Sequence, residues 1–153
     1  MTALEIYDLV TAGGSADFAR LIRVCEVIGG YCLIRGLAVD CYVEPVYALD
    51  VEVVVTRLPQ SSPALESDLR IQFTTDPRCQ DFISRAMVQT VLGIPVRVAA
   101  LEDVTQGKLW AWADPSRRLS KRKKDELDLI RLAEAWPELK RLYPPELAAM
   151  LDG

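Results

Sequence analysis

The segment Leu33–Thr56, which reads LIRGLAVDCYVEPVYALDVEVVVT, constrains the fold more than any other part of the chain. It begins with a short apolar run, turns at Gly36 and ends in a valine-rich stretch that carries Asp50 and Glu52. Alternate side chains of a strand project to the same face, so the two carboxylates are expected to emerge side by side. Adjacent carboxylates repel each other unless a divalent cation or a basic side chain lies between them. The segment therefore predicts a strand that presents an acidic site.

The composition limits the chemistry that such a site can perform. The 153 residues are enough for one hydrophobic core, 50% of them are hydrophobic, and the formal net charge is −4. That charge disfavours a basic coat for nucleic acid over the whole surface, but it allows a local basic patch. The chain contains no histidine, which excludes Ser-His-Asp and Cys-His catalysis and every zinc site that needs imidazole. Any catalysis must therefore use carboxylates, Lys, Arg, Tyr, backbone groups or a bound metal.

The cysteines and the hydropathy pattern indicate a protein of a reducing compartment. Cys25, Cys32, Cys41 and Cys79 lack the CxxC spacing of a structural zinc site, and we expect buried free thiols. The first residues lack the basic and apolar regions of a secretory signal, and no run is long and apolar enough to span a bilayer. The expectation is a cytoplasmic protein with no membrane contact.

Helical and strand-like patterns alternate along the chain. Helices are predicted over residues 3–11, from an N-cap at Ser15 to residue 28, over 36–43, after Pro77 through Val91, over 101–113, from an N-cap at Ser120 to Trp136, and after Pro145. Strands are predicted over residues 31–35, 48–56, 69–74 and 96–99. This order predicts an α+β fold in which a small sheet is flanked by helices. We expect a single domain over residues 1–153, with a core of about residues 15–114 and C-terminal helices over about residues 120–151.

With these elements placed, the chain resembles the nucleotidyltransferase superfamily, in particular its abortive-infection toxin type (AbiEii/AbiGii-like). The pattern of that family is a strand, a Gly-containing turn into a short helix, and then a strand with an acidic-x-acidic pair; IRGLAV and LDVEVVV match it. The stretches VLGIPVRVAALEDVTQGKLWAW and SKRKKDELDLIRLAEAWPEL resemble the second half of the family, with a Lys on one helix and a Lys-Asp motif on the next. The resemblance covers roughly residues 20–140 and implies a nucleotidyltransferase-like mixed sheet with a helical C-terminal part.

The resemblance also implies a site and a reaction. In such enzymes the acidic pair holds Mg²⁺, which clamps the triphosphate of a nucleoside triphosphate (NTP) while a nucleotide passes to an acceptor hydroxyl. It implies that Asp50 and Glu52 are metal ligands and that they act in catalysis together with Lys108. The implied nucleotide-binding residues are Gly36, Leu37, Lys124 and Asp125. The implied partners are an NTP, an RNA or protein acceptor, and a cognate antitoxin.

The chain departs from the family pattern at the turn, before the acidic pair and on the following strand. The turn lacks the Gly-Gly or Gly-Ser pair of the relatives, and the next strand lacks a third carboxylate. The residues concerned are Arg35, Gly36 and Leu37 at the turn, Val46 and Ala48 where many relatives carry Arg and Ser or Thr, and Gln72 at the position of the third carboxylate. The sequence does not choose among the remaining candidates for a third ligand, which are Asp40, Glu44, Asp68 and Asp76.

Basic and aromatic residues in the second half leave alternatives open. A basic cluster at the start of the long C-terminal helix is disfavoured by the helix dipole, by about 0.3–1 kcal/mol for each well-placed cation. It indicates either phosphate binding or a solvated face with ion pairs. The cluster consists of Arg117, Arg118, Lys121, Arg122, Lys123 and Lys124. Lys108 either extends to water or reaches the acidic pair. Trp110, Trp112 and Trp136 are predicted to be core or interface residues.

Three functional hypotheses follow. The first is a Mg²⁺-dependent nucleotidyltransferase that transfers a nucleotide from an NTP to an RNA or protein hydroxyl, as the toxin-like half of a two-gene defence module. The second is a catalytically degenerate relative that binds a nucleotide or a partner protein and regulates without chemistry. The third is an interaction domain in which Asp50 and Glu52 lie near a sheet edge and pair with Arg or Lys from a neighbouring helix.

Overall fold

The computed structural model describes residues 3–43, 50–61 and 63–152. Glu44, Val46 and Ala48 lie outside the described residues. The helices are α1 (Ala3–Thr11), α2 (Gly14–Ile28), α3 (Arg35–Val39), α4 (Gln80–Arg85), α5 (Leu101–Ala113), α6 (Leu119–Ala135) and α7 (Pro145–Asp152), with short 3₁₀ helices at Pro77–Cys79 and Pro137–Leu142. The strands are β1 (Tyr31–Ile34), β2 (Asp50–Val55), β3 (Arg70–Thr74), β4 (Met87–Val91) and β5 (Ile94–Val98).

The strands form one five-stranded sheet in the order β3-β2-β1-β5-β4. The pairs β2/β3 and β1/β5 are parallel, whereas β1/β2 and β4/β5 are antiparallel. This mixed sheet flanked by helices confirms the predicted α+β fold class. Because β2 lies between β1 and the edge strand β3, the acidic pair is one strand in from the edge of the sheet.

The central strand β1 anchors the hydrophobic core. All four of its residues are buried, and Cys32 and Leu33 are fully inaccessible. A strand that is paired on both sides and covered on both faces is expected to be continuously apolar, as this one is. Leu129 and Leu132 of α6 belong to the same buried cluster, so the C-terminal helices complete the core around the sheet.

The segment Met87–Val91 is a strand, and the prediction of a helix through Val91 is wrong. Helix α4 ends at Arg85, and the chain then forms an antiparallel hairpin with β5. The two turn residues Leu92 and Gly93 have φ values of 50° and 82°. Positive φ at both central residues is the geometry of a tight hairpin whose twist matches that of its strands. The apparent helical spacing placed Met87 on a buried face, but its side chain is 67% exposed.

Two predicted N-caps are also wrong. Helix α2 begins after Gly13, which has a φ of 93°, and the Ser15 hydroxyl instead donates a hydrogen bond to Asp8 Oδ2 at 2.8 Å. Helix α6 begins after Arg118, and Ser120 lies inside the helix. Glycine adopts the left-handed region without steric cost, which explains why it can start α2 where serine was expected.

Within the described residues, no helix combines the length and the apolar character that a membrane crossing requires.

Candidate functional site

The acidic pair faces a cleft at the end of β2 where α3 and α6 approach the sheet. Asp50 and Glu52 project to the same side of the strand, while Val51 between them is buried. The side chain of Asp50 is 47% exposed and that of Glu52 is 16% exposed. The cleft has a volume of about 390 Å³. Its lining residues are Arg35, Gly36, Asp50, Val51, Glu52, Arg70, Ile71, Gln72, Lys108, Arg117, Lys121, Lys124 and Asp125.

The structure brings nearly all of the residues singled out from the sequence to this one cleft. They come from α3, β2, α5 and α6, which are far apart along the chain. The residues that line it are Gly36, Asp50, Glu52, Lys108, Lys124 and Asp125. Leu37 is the exception, because its side chain is only 5% exposed and packs in the hydrophobic core.

Each carboxylate of the acidic pair has an arginine partner. Arg35 Nε lies 2.6 Å from Glu52 Oε2, and Arg70 Nε lies 2.8 Å from Asp50 Oδ1. The second pair follows from the parallel register, in which Asp50 is opposite Arg70. Lys121 Nζ from α6 lies 3.9 Å from Asp50 Oδ2. The mutual repulsion of the two carboxylates is therefore offset by the protein's own cations.

The turn before α3 holds Arg35 in an unusual backbone conformation. Arg35 has a φ of 66°, in the left-handed region that L-residues other than Asn and Asp rarely adopt. Such a conformation costs an L-residue about 1–2 kcal/mol. The side chain compensates with the ion pair to Glu52 and with a hydrogen bond from its Nη1 to the carbonyl oxygen of Gly107 at 3.3 Å. Arg35 thus begins α3, one residue before the predicted start at Gly36.

The residues of the cleft do not form a divalent-metal site as they are arranged. Gln72 lies directly opposite Glu52 in the parallel register, which is where the family pattern predicts a third carboxylate. Asp40, Asp68 and Asp76 do not line the cleft. Among the residues that the structure describes, no group of three or more Cys, Asp or Glu side chains could hold a metal ion. Both carboxylates of the acidic pair are instead engaged by arginine, so a divalent cation would compete with Arg35 and Arg70 for their charge.

Lys108 follows neither of the alternatives expected for it. It is 4% exposed, and its Nζ lies 3.0 Å from Asp125 Oδ1 and 2.9 Å from Asp128 Oδ2. Arg117 Nε adds a third ion pair, 2.7 Å from the second oxygen of Asp125. Lys108 therefore joins α5 to α6 through a buried ion-pair network, and it neither extends to water nor reaches Asp50 or Glu52. The pairing of Lys108 with Asp128 was not predicted from the sequence, although the position of Asp128 three residues after Asp125 places both on one helix face.

The basic cluster divides between the cleft and the outer surface of α6. Arg117, Lys121 and Lys124 line the cleft. Lys123 instead pairs with Glu126 at 3.3 Å, and Arg122 Nε donates to the carbonyl oxygen of Arg117 at 3.1 Å. Lys123 thus follows the ion-pair alternative, whereas phosphate binding by the members that line the cleft stays a prediction.

The cleft carries an excess of positive charge although the chain as a whole is acidic. Six cationic and three acidic side chains line it, whereas the formal net charge of the protein is −4. Clefts lined by one sign of charge concentrate ligands of the opposite sign. The cations are Arg35, Arg70, Lys108, Arg117, Lys121 and Lys124. Arg35 and Arg70 were not predicted to belong to the site, and only the strand register could have indicated Arg70.

A second cleft of about 400 Å³ adjoins the first and shares Arg35 and Arg117 with it. On its wall the Arg78 guanidinium lies 4.7 Å from the ring centre of Trp110. Hydrogen bonds from Arg78 hold the pKa of the Asp76 carboxyl below its ordinary value. Asp76 is thus part of an ion pair in this neighbouring cleft and is not a third ligand of the acidic pair.

The three tryptophans occupy packing positions, largely as predicted. Trp110 stacks on Phe82 at 5.9 Å between ring centres, and Trp112 Nε1 donates to Glu126 at 2.8 Å. Hydrogen bonds from Trp112 and Lys123, set against partial burial, lower the pKa of Glu126. Trp136 is 37% exposed, and its Nε1 donates a hydrogen bond to the carbonyl oxygen of Tyr42 at 2.9 Å.

The fold and the cleft together define a nucleotidyltransferase-like domain, in which an acidic pair on β2 faces cations from α3, α5, α6 and β3. A family model described as the nucleotidyl transferase AbiEii toxin of type IV toxin–antitoxin systems matches residues 8–152, and the chain belongs to this family. A search of curated proteins gave no match to this chain.

Proposed function

We propose that the cleft binds the triphosphate of an NTP. The observation that carries the proposal is the excess of cations around the cleft in a protein that is otherwise acidic. Phosphate oxygens are strong acceptors for Arg and Lys, and Arg contributes paired donors. Gly36 lines the same cleft, and its lack of a side chain allows the backbone to lie close to a phosphate.

Lys124 and Lys121 are the cations best placed to bind the phosphates. Lys124 is exposed, and among the described residues it is the one cleft cation without a carboxylate partner. Lys121 has only a long ion pair with Asp50, at 3.9 Å. We assign Asp125 a positioning role, because its two oxygens hold Lys108 and Arg117.

Calorimetric titration of each NTP, with and without Mg²⁺, tests this assignment. Lys124→Ala is expected to raise the dissociation constant about tenfold, which corresponds to about 1.4 kcal/mol. Lys140→Ala is the matched control, because Lys140 pairs with Asp152 at 3.7 Å and does not line the cleft. The proposal fails if the wild type binds no NTP, or if both variants bind as tightly as the wild type.

The second candidate is the transfer of a nucleotide from the NTP to an RNA or protein hydroxyl, with Mg²⁺ as cofactor. The projection of Asp50 and Glu52 side by side into the cleft favours it. The arginine partners of both carboxylates and Gln72 opposite Glu52 disfavour it, because they reduce the negative charge available to a divalent metal. NTP binding is therefore the function that the arrangement supports best.

Transfer is tested separately from binding by incubating radiolabelled NTPs with RNA and with protein acceptors. Label that becomes covalently attached by the wild type, and not by Asp50→Asn, would establish transfer. NTP binding without covalent attachment of label would support binding and argue against transfer.

We further propose a toxin-like role in a two-gene module with a cognate antitoxin. Family membership supports this role, since the family consists of toxins of type IV toxin–antitoxin systems. Growth arrest on expression of the wild type, relieved by Lys124→Ala, would support it, whereas unchanged growth in every host tested would argue against it.

A further inference from the structure

The position that distinguishes this cleft is Arg35, whose guanidinium contacts the inner carboxylate of the acidic pair. We propose that Arg35 is the built-in counter-ion of Glu52, so that the cleft binds phosphate ligands without a divalent metal. The proposal deepens the proposed function and rests on it for the phosphate ligand. Its metal part is independent of any nucleotide.

The Arg35 side chain is fixed at two points. Its Nε donates to Glu52 at 2.6 Å, and its Nη1 donates to the carbonyl oxygen of Gly107 at 3.3 Å. The side chain is 28% exposed, and Glu52 is 16% exposed. A guanidinium held by both a carboxylate and a backbone oxygen has a defined orientation, unlike a surface arginine with one exposed partner. A metal ion at Glu52 would compete with this guanidinium for the carboxylate charge.

The backbone conformation at position 35 favours glycine over arginine on steric grounds. At a φ of 66°, glycine would be unstrained and would leave Glu52 open to the cleft. Arginine is strained at this φ, so its presence requires a compensating contact. Of its two contacts, the one with Glu52 is an ion pair. The combination of a strained backbone and a charge-neutralised carboxylate is what points to a specific role.

The rest of the cleft is consistent with a metal-free site. Arg70 neutralises Asp50, and Gln72 contributes no charge opposite Glu52. The remaining excess of cations lining the cleft repels a divalent cation and attracts phosphate oxygens. Each described ion pair of Asp50 and Glu52 therefore offsets a carboxylate charge, as the contact from Arg35 does.

Titration with Mn²⁺ alone, monitored by the electron paramagnetic resonance signal of the free ion, tests the proposal. Wild type is expected to show no saturable Mn²⁺ binding that depends on Glu52. Arg35→Gly is expected to bind one Mn²⁺ at least about tenfold more tightly than wild type. The double variant Arg35→Gly with Glu52→Gln is expected to lose that gain. Arg141→Ala removes an arginine that pairs with Glu102 away from the cleft, and it controls for the change in net charge.

A nucleotide titration completes the test. Wild type is expected to bind ATP with dissociation constants that agree within about threefold in Mg²⁺ and in EDTA, whereas Arg35→Gly should become dependent on Mg²⁺. Wild-type Mn²⁺ binding that Glu52→Gln abolishes would overturn the proposal, as would a folded Arg35→Gly that binds Mn²⁺ no better than wild type. If neither protein binds ATP but Arg35→Gly gains the Mn²⁺ site, the proposed NTP binding fails while the assignment of Arg35 as the counter-ion stands.

Discussion

The ammonium group of Lys108 lies 2.9 Å from the carboxylate of Asp128, at a position where the lysine side chain is almost inaccessible to water. Asp125 is the second partner of Lys108, and Arg117 and Arg131 complete the network from its periphery. Charges this deeply buried are tolerated only when each has a partner. The network therefore fixes α6 against α5 and with it the position of the cations that α6 brings to the cleft.

Lys108→Met is predicted to destabilise the protein by about 3–5 kcal/mol, because it leaves two adjacent buried carboxylates with less compensation. Urea unfolding measures the change. Combining it with Asp128→Asn should recover part of the loss, since the second substitution removes one of the two buried carboxylate charges.

Lys124→Met is the matched control on α6, because Lys124 is exposed. Its free energy of unfolding should stay within about 0.5 kcal/mol of wild type. Equal unfolding midpoints for Lys108→Met and Lys124→Met would contradict a structural role for Lys108.

Asp17 is predicted to make the protein acid-sensitive. It is 1% exposed and accepts hydrogen bonds from the backbone N–H of Ser67 at 2.8 Å and of Glu66 at 3.1 Å, as well as from Ser67 Oγ and Arg20. Burial alone would raise its pKa, but these donors outweigh burial and lower the pKa below 3.8, the ordinary value for an aspartate. A lowered pKa in the folded state stabilises the protein above the unfolded-state pKa. That contribution is lost as the pH falls below about 3.8 through the lower folded-state value.

Asp17→Asn should cost about 1–3 kcal/mol at pH 7, because its amide presents a donor to groups that are themselves donors. The difference between wild type and variant should shrink as the pH falls below 3.8, where an aspartate of the unfolded chain takes up its proton. Asp152→Asn, at an exposed position near the end of α7, should show neither effect. If the free energies of unfolding of wild type and Asp17→Asn differed by the same amount at pH 7 and pH 2, the charge of Asp17 would not be what stabilises the loop at Glu66 and Ser67.

The acidic strand could be located from the sequence because its evidence is local. Alternation predicts that Asp50 and Glu52 share one face of the strand. The family pattern assigns Gln72 to the position of the third carboxylate, and in the structure the parallel register places Gln72 directly opposite Glu52. The partners of the pair were not predictable in the same way. Arg70 contacts Asp50 because of the register between β2 and β3. Arg35 contacts Glu52 from a left-handed backbone conformation, which no sequence pattern predicts for arginine.

The errors in the fold have similar causes. Met87 and Val91 fit the spacing of a helix, but the positive φ values of Leu92 and Gly93 reverse the chain and convert the stretch into a hairpin. Lys108 was expected near the acidic pair because both belong to the family pattern. Lys108 lies on α5, and its ammonium group contacts Asp125 and Asp128 of the neighbouring helix α6. A buried ammonium is stabilised most by the nearest carboxylates.

The cysteines are predicted to be almost inert in the folded protein. All four are free thiols, and burial raises the pKa of Cys25 and of Cys32 to about 12 and that of Cys41 to about 11. At pH 8 a thiol with a pKa near 12 is ionised to roughly one part in ten thousand, and the thiolate is the reactive form. Excess iodoacetamide should therefore label at most the half-buried Cys41, as read by mass spectrometry, and all four in urea. Rapid labelling of Cys25 or Cys32 under native conditions would contradict their burial.

The backbone strain at Arg35 can be measured apart from its charge by comparing two truncations. Arg35→Ala and Arg35→Gly both remove the ion pair to Glu52, so their stability difference isolates the backbone. At a φ of 66° alanine is strained and glycine is not, and Arg35→Gly should be more stable than Arg35→Ala by about 1 kcal/mol in urea unfolding. Lys123 is the matched control, because it lies inside α6, where alanine is the better residue by about 1 kcal/mol. Lys123→Ala should therefore be more stable than Lys123→Gly, the reverse of the order at Arg35. The same order at both positions would mean that Arg35 is not held in the left-handed region in solution.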